Sequence, residues 1–276
     1  MPIARLRAII SPLSDVRGCA AMMEQDRQRT IRLKLSQMES APARRAGYPA
    51  GAALSTGFAA LDAALGMGGL PRGCLVELFG PSCGKTTLAL QVAAHLQKQG
   101  LTVAWIDSDH AFDALYAVKL GVEIERLPVV EPETAEEALE AARRLAISGA
   151  VDLLVVDSAA ALVPSLELET GIGASGPGLH SRVLASGLRR LATAVTRGGA
   201  SVLFLNQTRG RPEPSGGEAE TTAGGPPLKL YAAVRIALVP AGERRVRFRV
   251  LKNKVATAFA EGDLKWKAGL GFAESP

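Results

Sequence analysis

From Leu54 onward the chain alternates short apolar runs with stretches whose apolar residues recur every three or four positions. Residues 75–79 (LVELF) are a nearly continuous apolar run and read as a strand. Residues 85–99 keep helical spacing and read as a helix. The pattern then repeats: a strand at 103–106, a helix at 111–120, a short strand at 127–130, and a helix at 134–148. Thr134 is placed to cap that last helix, with Glu136 and Glu137 in its first turn. Residues 153–156 (LLVV) and 202–205 are apolar throughout, as strands covered on both faces should be. A helix at 179–196 lies between them. After a long polar segment, residues 232–239, 246–251 and 264–266 alternate, as antiparallel strands do. The predicted architecture is α/β: a doubly wound, mostly parallel sheet with a terminal antiparallel meander.

The first 53 residues differ from the rest. Residues 1–22 form a basic, apolar tail whose short apolar run is broken by Pro12, too short for a signal-peptide core. Met22 or Met23 could serve as the start instead. Residues 24–39 place Ile31, Leu35 and Met38 at helical spacing, which predicts a short basic amphipathic helix. Residues 40–51, rich in Ala, Pro, Gly and Arg, read as a linker. Such a tethered helix either packs on a neighbouring subunit or folds back on its own domain. The expected division is a tail (1–22), an oligomerisation helix and linker (23–53), and a core (54–276).

Charge sharpens this picture. Across all 276 residues the net charge is +5, but its distribution is uneven. Residues 51–181 carry 7 basic and 16 acidic side chains, whereas residues 182–254 carry 14 basic and 4 acidic. An acidic half followed by a basic half predicts either a polyanion-binding face or two surfaces that meet across a subunit boundary. No apolar run approaches the roughly 20 residues of a membrane helix. Cys19, Cys74 and Cys83 are odd in number and scattered, and His95, His110 and His180 are dispersed. This argues against a disulfide framework or a zinc site and suggests a cytoplasmic protein.

The segment Gly80-Pro81-Ser82-Cys83-Gly84-Lys85-Thr86-Thr87 stands between a predicted strand and a predicted helix, the setting of a phosphate-binding loop. Backbone N–H groups there would wrap a phosphate, Lys85 would offset its charge, and the Thr86 hydroxyl would ligate Mg²⁺. Three residues separate the two glycines, one fewer than the usual four. Asp157 ends an apolar strand and would hold Mg²⁺ through water. Asp109, expected at the end of the strand beside the loop strand, could orient a water toward the γ-phosphate; otherwise it caps the helix that follows.

Many separated segments then fall into place together. Residues 54–57 (LSTG), 68–73 (GGLPRG), 117–122 (AVKLGV), 155–162 (VVDSAAAL), 206–209 (NQTR), 220–225 (ETTAGG) and 252–254 (KNK) resemble the bacterial RecA recombinase family in order and spacing, over about residues 23–272. The resemblance implies a RecA-type P-loop NTPase core that binds ATP with Mg²⁺. Lys85, Asp109 and Gln207 would be catalytic, Gln207 as γ-phosphate sensor. Asp113 and Tyr116 would contact adenine. Lys252 and Lys254 would reach the γ-phosphate held by an adjoining subunit of a helical filament. Two DNA-binding loops are implied. The first spans 164–182, with Arg182 and, beyond it, Arg189. The second spans 208–227, with Arg209, Arg211, Gly224 and Gly225. Gly-rich and apolar-poor, both read as loops that order on a partner, single-stranded or duplex DNA.

The chain departs from that family in particular places. The loop is one residue shorter, and Asp109 stands where the family has Glu. Pro177, Pro212 and Gly216 replace apolar residues, Pro226 removes an N–H, and Leu230 replaces an aromatic residue. Slowed hydrolysis and weaker base wedging would follow. The leading expectation is a DNA-dependent ATPase of recombination, repair and the DNA damage response. The alternative is an ImuA-like accessory protein that joins a translesion polymerase complex with little or no ATPase activity.

Overall fold

The computed structural model describes residues 35–37, 52–170, 176, 178–212 and 218–274. Most of the expected N-terminal helix, the tail and the linker lie outside the described residues; 35–37 are helical and Leu35 is buried. The core opens with a small antiparallel pair, β1 (Ala53–Leu54) with β2 (Leu70–Pro71), flanking the helix Ala59–Leu65.

The main sheet contains β3 (Leu75–Gly80), β4 (Val103–Asp107), β5 (Val129–Val130), β6 (Leu153–Asp157), β7 (Ser201–Pro212), β8 (Glu218–Thr222), β9 (Val234–Pro240), β10 (Arg245–Asn253), β11 (Glu261–Lys267) and β12 (Gly271–Glu274). The order is β12-β11-β10-β9-β3-β7-β6-β4-β5, and β8 pairs only with β7. Pairs from β9 through β3, β7, β6 and β4 to β5 are parallel; those from β9 to β12 are antiparallel. This is the doubly wound sheet with a terminal meander that the hydrophobic pattern predicts.

Two apolar layers explain the continuous runs. Val103, Trp105, Leu153 and Val155 pack on one face with the helix Lys85–Lys98. Ala104, Ile106, Leu154 and Val156 pack on the other with the helices Ala135–Ser148 and Leu179–Gly198. Successive strand residues point to opposite faces, so covering both faces demands an apolar residue at nearly every position. The Thr134 hydroxyl accepts from the Glu137 N–H and caps its helix as expected.

Several boundaries differ from expectation. The helix expected at 111–120 begins only at Ala114, because the Asp107 carboxylate captures the Ala111 and Phe112 N–H groups and holds that stretch extended. Asp113, not Asp109, caps it, through the Tyr116 N–H. The strand expected at 127–130 is confined to Val129–Val130, and β12 joins the meander as an unforeseen fourth strand. The strand ending at Asp107 does not neighbour the loop strand either: β6 and β7 lie between β4 and β3. Much of the second expected loop is strand or helix, and 213–217 lie outside the described residues. β7 continues to Pro212 and pairs with β8, and a helix runs from Pro226 to Tyr231. Pro226 takes a first-turn position there, where a missing N–H costs nothing. The first expected loop holds a short helix, Ser165–Glu169, and the start of the Leu179–Gly198 helix; 171–175 and 177 lie outside the described residues.

A buried polar cluster crosses three strands of this apolar interior. Glu77 on β3 is fully buried and pairs with Arg235, its register partner on β9. Asn206 on β7 donates to the other Glu77 oxygen at 2.9 Å, and the Arg235 guanidinium lies 4.3 Å from the Phe79 ring centroid. Removing one partner leaves a buried charge uncompensated. Arg235→Met is therefore expected to lower the unfolding free energy in urea titrations by about 3–5 kcal/mol. A loss below about 1 kcal/mol, the scale of an exposed pair, would show that the cluster is not holding the strands together.

Candidate functional site

The segment 80–87 joins the carboxyl end of β3 to the helix Lys85–Lys98. Its two glycines are sterically required. Gly80 has φ of +151°, and a Cβ there would lie 1.9 Å from the Leu238 carbonyl oxygen. Gly84 is left-handed at φ of +95°, with the Phe272 ring 2.6 Å from an added Cβ. Pro81 and Ser82 are exposed. The half-buried Cys83 thiol donates to the Leu238 carbonyl at 3.2 Å, and burial raises its pKa. Lys85 is buried and turns back into the loop, its Nζ donating to the carbonyls of Gly80 at 2.9 Å and Pro81 at 2.6 Å. Burial lowers the Lys85 pKa, against the pull of Cys83, Asp157 and Asp109. The lysine thus satisfies two of the loop's own carbonyls.

Beyond the loop lies a group of carboxylates. The Thr86 hydroxyl donates to Asp157 Oδ2 at 2.9 Å, bringing together the alcohol and carboxylate expected at the metal. Burial pushes the Asp157 carboxyl up to about 6; the Thr86 bond and Lys85 oppose the shift, while Asp109 and Asp107 add to it. Among the described residues no three acidic, His or Cys side chains converge as a metal cluster; the Asp157 carboxylate and Thr86 hydroxyl alone offer the one or two oxygen donors from which a hydrated hard cation such as Mg²⁺ is held. Asp109 is exposed, and its Oδ1 accepts from both the N–H and the hydroxyl of Ser158.

Gln207 follows Asn206 on β7 and is the register partner of Gly80, so it stands beside the loop. The Asn206 side chain is fully engaged. Its Nδ2 reaches Glu77 and the Ala223 carbonyl, and its Oδ1 accepts from the Gln207 N–H. On the other side of the loop, the Tyr116 hydroxyl is 2.9 Å from the Thr87 hydroxyl, and exposed Asp113 caps the Tyr116 helix. Glu77, Asn206 and Ser158 were not among the residues the sequence reading singled out. The available signals were a lone charge within LVELF and an Asn ending a buried strand.

Lys252 and Lys254 are not part of this constellation. Val76 pairs with Val234, and Val234 with Asn253, so both lysines lie at the opposite end of β3 from Gly80. A strand of that length puts them roughly 15 Å or more from their own loop. Lys252 Nζ donates to the carbonyls of Lys229 and Leu230, and Lys254 Nζ lies 3.4 Å from the latter. Leu230, whose carbonyl both lysines approach, and Val255 and Phe259, which follow them in sequence, are exposed apolar side chains.

Arg182 and Arg189 are exposed and seven residues apart on the Leu179–Gly198 helix, hence on one face. The first turns of that helix meet the end of the second expected loop: Gly224 abuts Leu184, and Gly225 lies by Ser181 and caps the following helix. Arg209 and Arg211 belong to the part of β7 that pairs with β8.

The sheet order and the loop define the fold class as a RecA-type P-loop NTPase core. The family model described as the RecA N-terminal domain matches residues 49–273. A protein RecA from Geobacter sulfurreducens is 44% identical over 269 residues, covering 91% of this chain and 80% of that protein. One from Caulobacter vibrioides is 42% identical over 271 residues, covering 92% and 76%. The crystal structure of the RadB recombinase superposes with a TM-score of 0.63 at 21% identity, covering 81% of this chain and all of that one. The chain belongs to the RecA family.

Asp157 carries a testable consequence. Its folded pKa lies above the usual 3.8, so its contribution to the ligand-free protein's stability is greatest below about pH 4 and falls as pH rises to about 6. The full loss approaches 3 kcal/mol by order of magnitude, at about 1.4 kcal/mol per unit. Asp157→Asn is expected to raise the ligand-free unfolding free energy at neutral pH by about 1–3 kcal/mol and to flatten that pH dependence. Lower stability in the variant would refute the assignment of an ionised, strained carboxylate.

Proposed function

We propose that the chain is an ATP- and Mg²⁺-dependent, single-stranded-DNA-binding protein of recombination and repair that assembles with copies of itself and hydrolyses ATP. The observation that carries this reading is the Asn206 linkage. One side chain joins the loop strand through Glu77, the sensor position through the Gln207 N–H, and the base of the Arg-bearing hairpin through the Ala223 carbonyl. Nucleotide state and DNA contact are thereby in physical connection.

Lys85 would exchange its loop carbonyls for phosphate oxygens, joined by N–H groups at the start of its helix. Thr86 and Asp157 would hold Mg²⁺, which supplies charge offset to the phosphates when bound. Asp109 would orient a water and accept its proton, and Gln207, beside Gly80, would sense the terminal phosphate. Tyr116 and Asp113 would take the base. The short loop, with Lys85 held by its own carbonyls, supports slow hydrolysis. Arg182, Arg189, Arg209 and Arg211 would grip phosphates without regard to sequence, in a salt-sensitive manner. The joint presence of Lys85, Asp157, Gln207 and the two distal lysines favours this reading over an accessory module.

Lys85→Ala is expected to abolish ATP-dependent retention of single-stranded DNA and ATP-dependent assemblies in electron microscopy. Assemblies that still respond to ATP would remove the loop assignment. The distance between the lysines and their own loop makes a second prediction, for chemistry between subunits. Lys85→Ala and the double variant Lys252→Ala/Lys254→Ala should each be inactive alone, yet regain part of the ATPase rate when mixed. No recovery, with both variants co-assembled, would count against lysines acting across the interface.

A further inference from the structure

The substitution that sets this chain apart at the hydrolysis position is Asp109, one methylene shorter than the family's Glu. A short carboxylate at an exposed strand end has little to hold it, yet here it is fixed by a specific arrangement. The Asp109 N–H donates to the Asp157 carbonyl at 3.2 Å, and the Ser108 N–H reaches the same oxygen at 2.7 Å. In return Ser158, next to Asp157 and 3% exposed, donates its N–H at 3.2 Å and its hydroxyl at 3.0 Å. Both bonds end on the same carboxylate oxygen, Oδ1. The two strand ends are thus stitched in both directions through one aspartate.

We infer that Ser158 is a positioning residue for Asp109, fixing the carboxylate so that Oδ2 is left to orient the attacking water. Two donors on Oδ1 select one rotamer of the side chain. They also leave the second oxygen of this exposed side chain as the available acceptor. An aspartate has one fewer torsion than a glutamate, so two hydrogen bonds suffice to lock it. A longer side chain would reach further on its own and depend less on this hold. The inference rests on the reading of Asp109 as the group that orients water.

The experiment is a set of variants of the full chain, compared by steady-state ATPase assay with single-stranded DNA and by binding of a fluorescent ATP analogue. Ser158→Ala is expected to lower kcat about tenfold to a hundredfold, the scale of a misplaced catalytic group. Analogue affinity and KM should stay within about threefold, since the loop contacts are untouched. Ser158→Thr, which keeps the hydroxyl, should restore most of kcat. In an Asp109→Glu background the Ser158→Ala loss should shrink, the coupling that a double-mutant cycle reads. Thermal unfolding identifies any variant that fails to fold. In that event the Ser158→Thr and Asp109→Glu arms decide: an unaltered kcat/KM dependence on both would overturn the inference.

The two readings fail differently. If Asp109→Asn abolishes hydrolysis while Ser158→Ala keeps kcat, Asp109 orients water but Ser158 does not position it, and this inference is lost. If Asp109→Asn hydrolyses normally, or the unaltered chain binds ATP without hydrolysing it, the role given to Asp109 is wrong and the inference goes with it.

Discussion

The buried contact among Glu77, Arg235 and Asn206 is the constraint on which the arrangement of the site depends. It joins three adjacent strands at the point where the parallel sheet gives way to the antiparallel meander. Each of those strands carries something toward the site: β3 leads into the loop, β7 into Gln207, and β9 lends the Leu238 carbonyl against which Gly80 and Cys83 are packed. A buried ion pair contributes little net stability, because desolvation offsets most of the attraction. Its larger effect is on register. A one-residue slip of β9 would set an apolar residue against Glu77 and leave a charge in the core, so the pairing Glu77–Arg235 is strongly selected.

That register also decides what a single copy cannot do. With β9 parallel to β3 and β10 antiparallel to it, the residues at the end of β10 return to the end of the sheet remote from the loop. Lys252 and Lys254 therefore lie at the end of the sheet remote from their own loop, beside the Leu230 carbonyl, and exposed Val255 and Phe259 follow them in sequence. If the loop binds phosphate and the two lysines reach it from a neighbouring copy, as proposed, the contact would be head-to-tail, and a heterologous contact of that kind propagates instead of closing on itself. On the proposed reading, the geometry of self-association would follow from strand order.

Much of this was legible in the residues. Continuous apolar runs at 153–156 and 202–205 announced strands covered on both faces, and they lie at the sheet's centre. The glycines and Lys85 announced the loop. What the pattern could not show were contacts between residues distant in sequence. The Asp107 carboxylate holds the Ala111 and Phe112 N–H groups and delays a helix whose spacing began earlier. The stretch 208–227 looked irregular because glycine, proline and charge dominate it, yet strand pairing extends along part of it. Ser158 was visible within a familiar run, but its bonds to Asp109 cross 49 residues of chain.

Strand pairing also changes what the charge asymmetry means. The basic second half suggested a surface for a polyanion, but not all of its cations are available for one. Arg235 is committed to Glu77 in the core, and Arg247 and Arg249 pair across the hairpin with Asp263 and Glu261. Those acids all lie outside the basic block, so counting by segment overstates the free positive charge. The exposed arginines of the Leu179–Gly198 helix are different. Arg182 and Arg189 share one face, and the first turns of their helix touch Gly224 and Gly225, at the foot of the hairpin bearing Arg209 and Arg211. Through Ala223 that foot is bonded to Asn206, and through Asn206 to Gln207 and the loop strand. On the proposed reading, the cations that would meet a polyanion are thus those whose elements connect back to the loop strand, which total charge alone could not reveal.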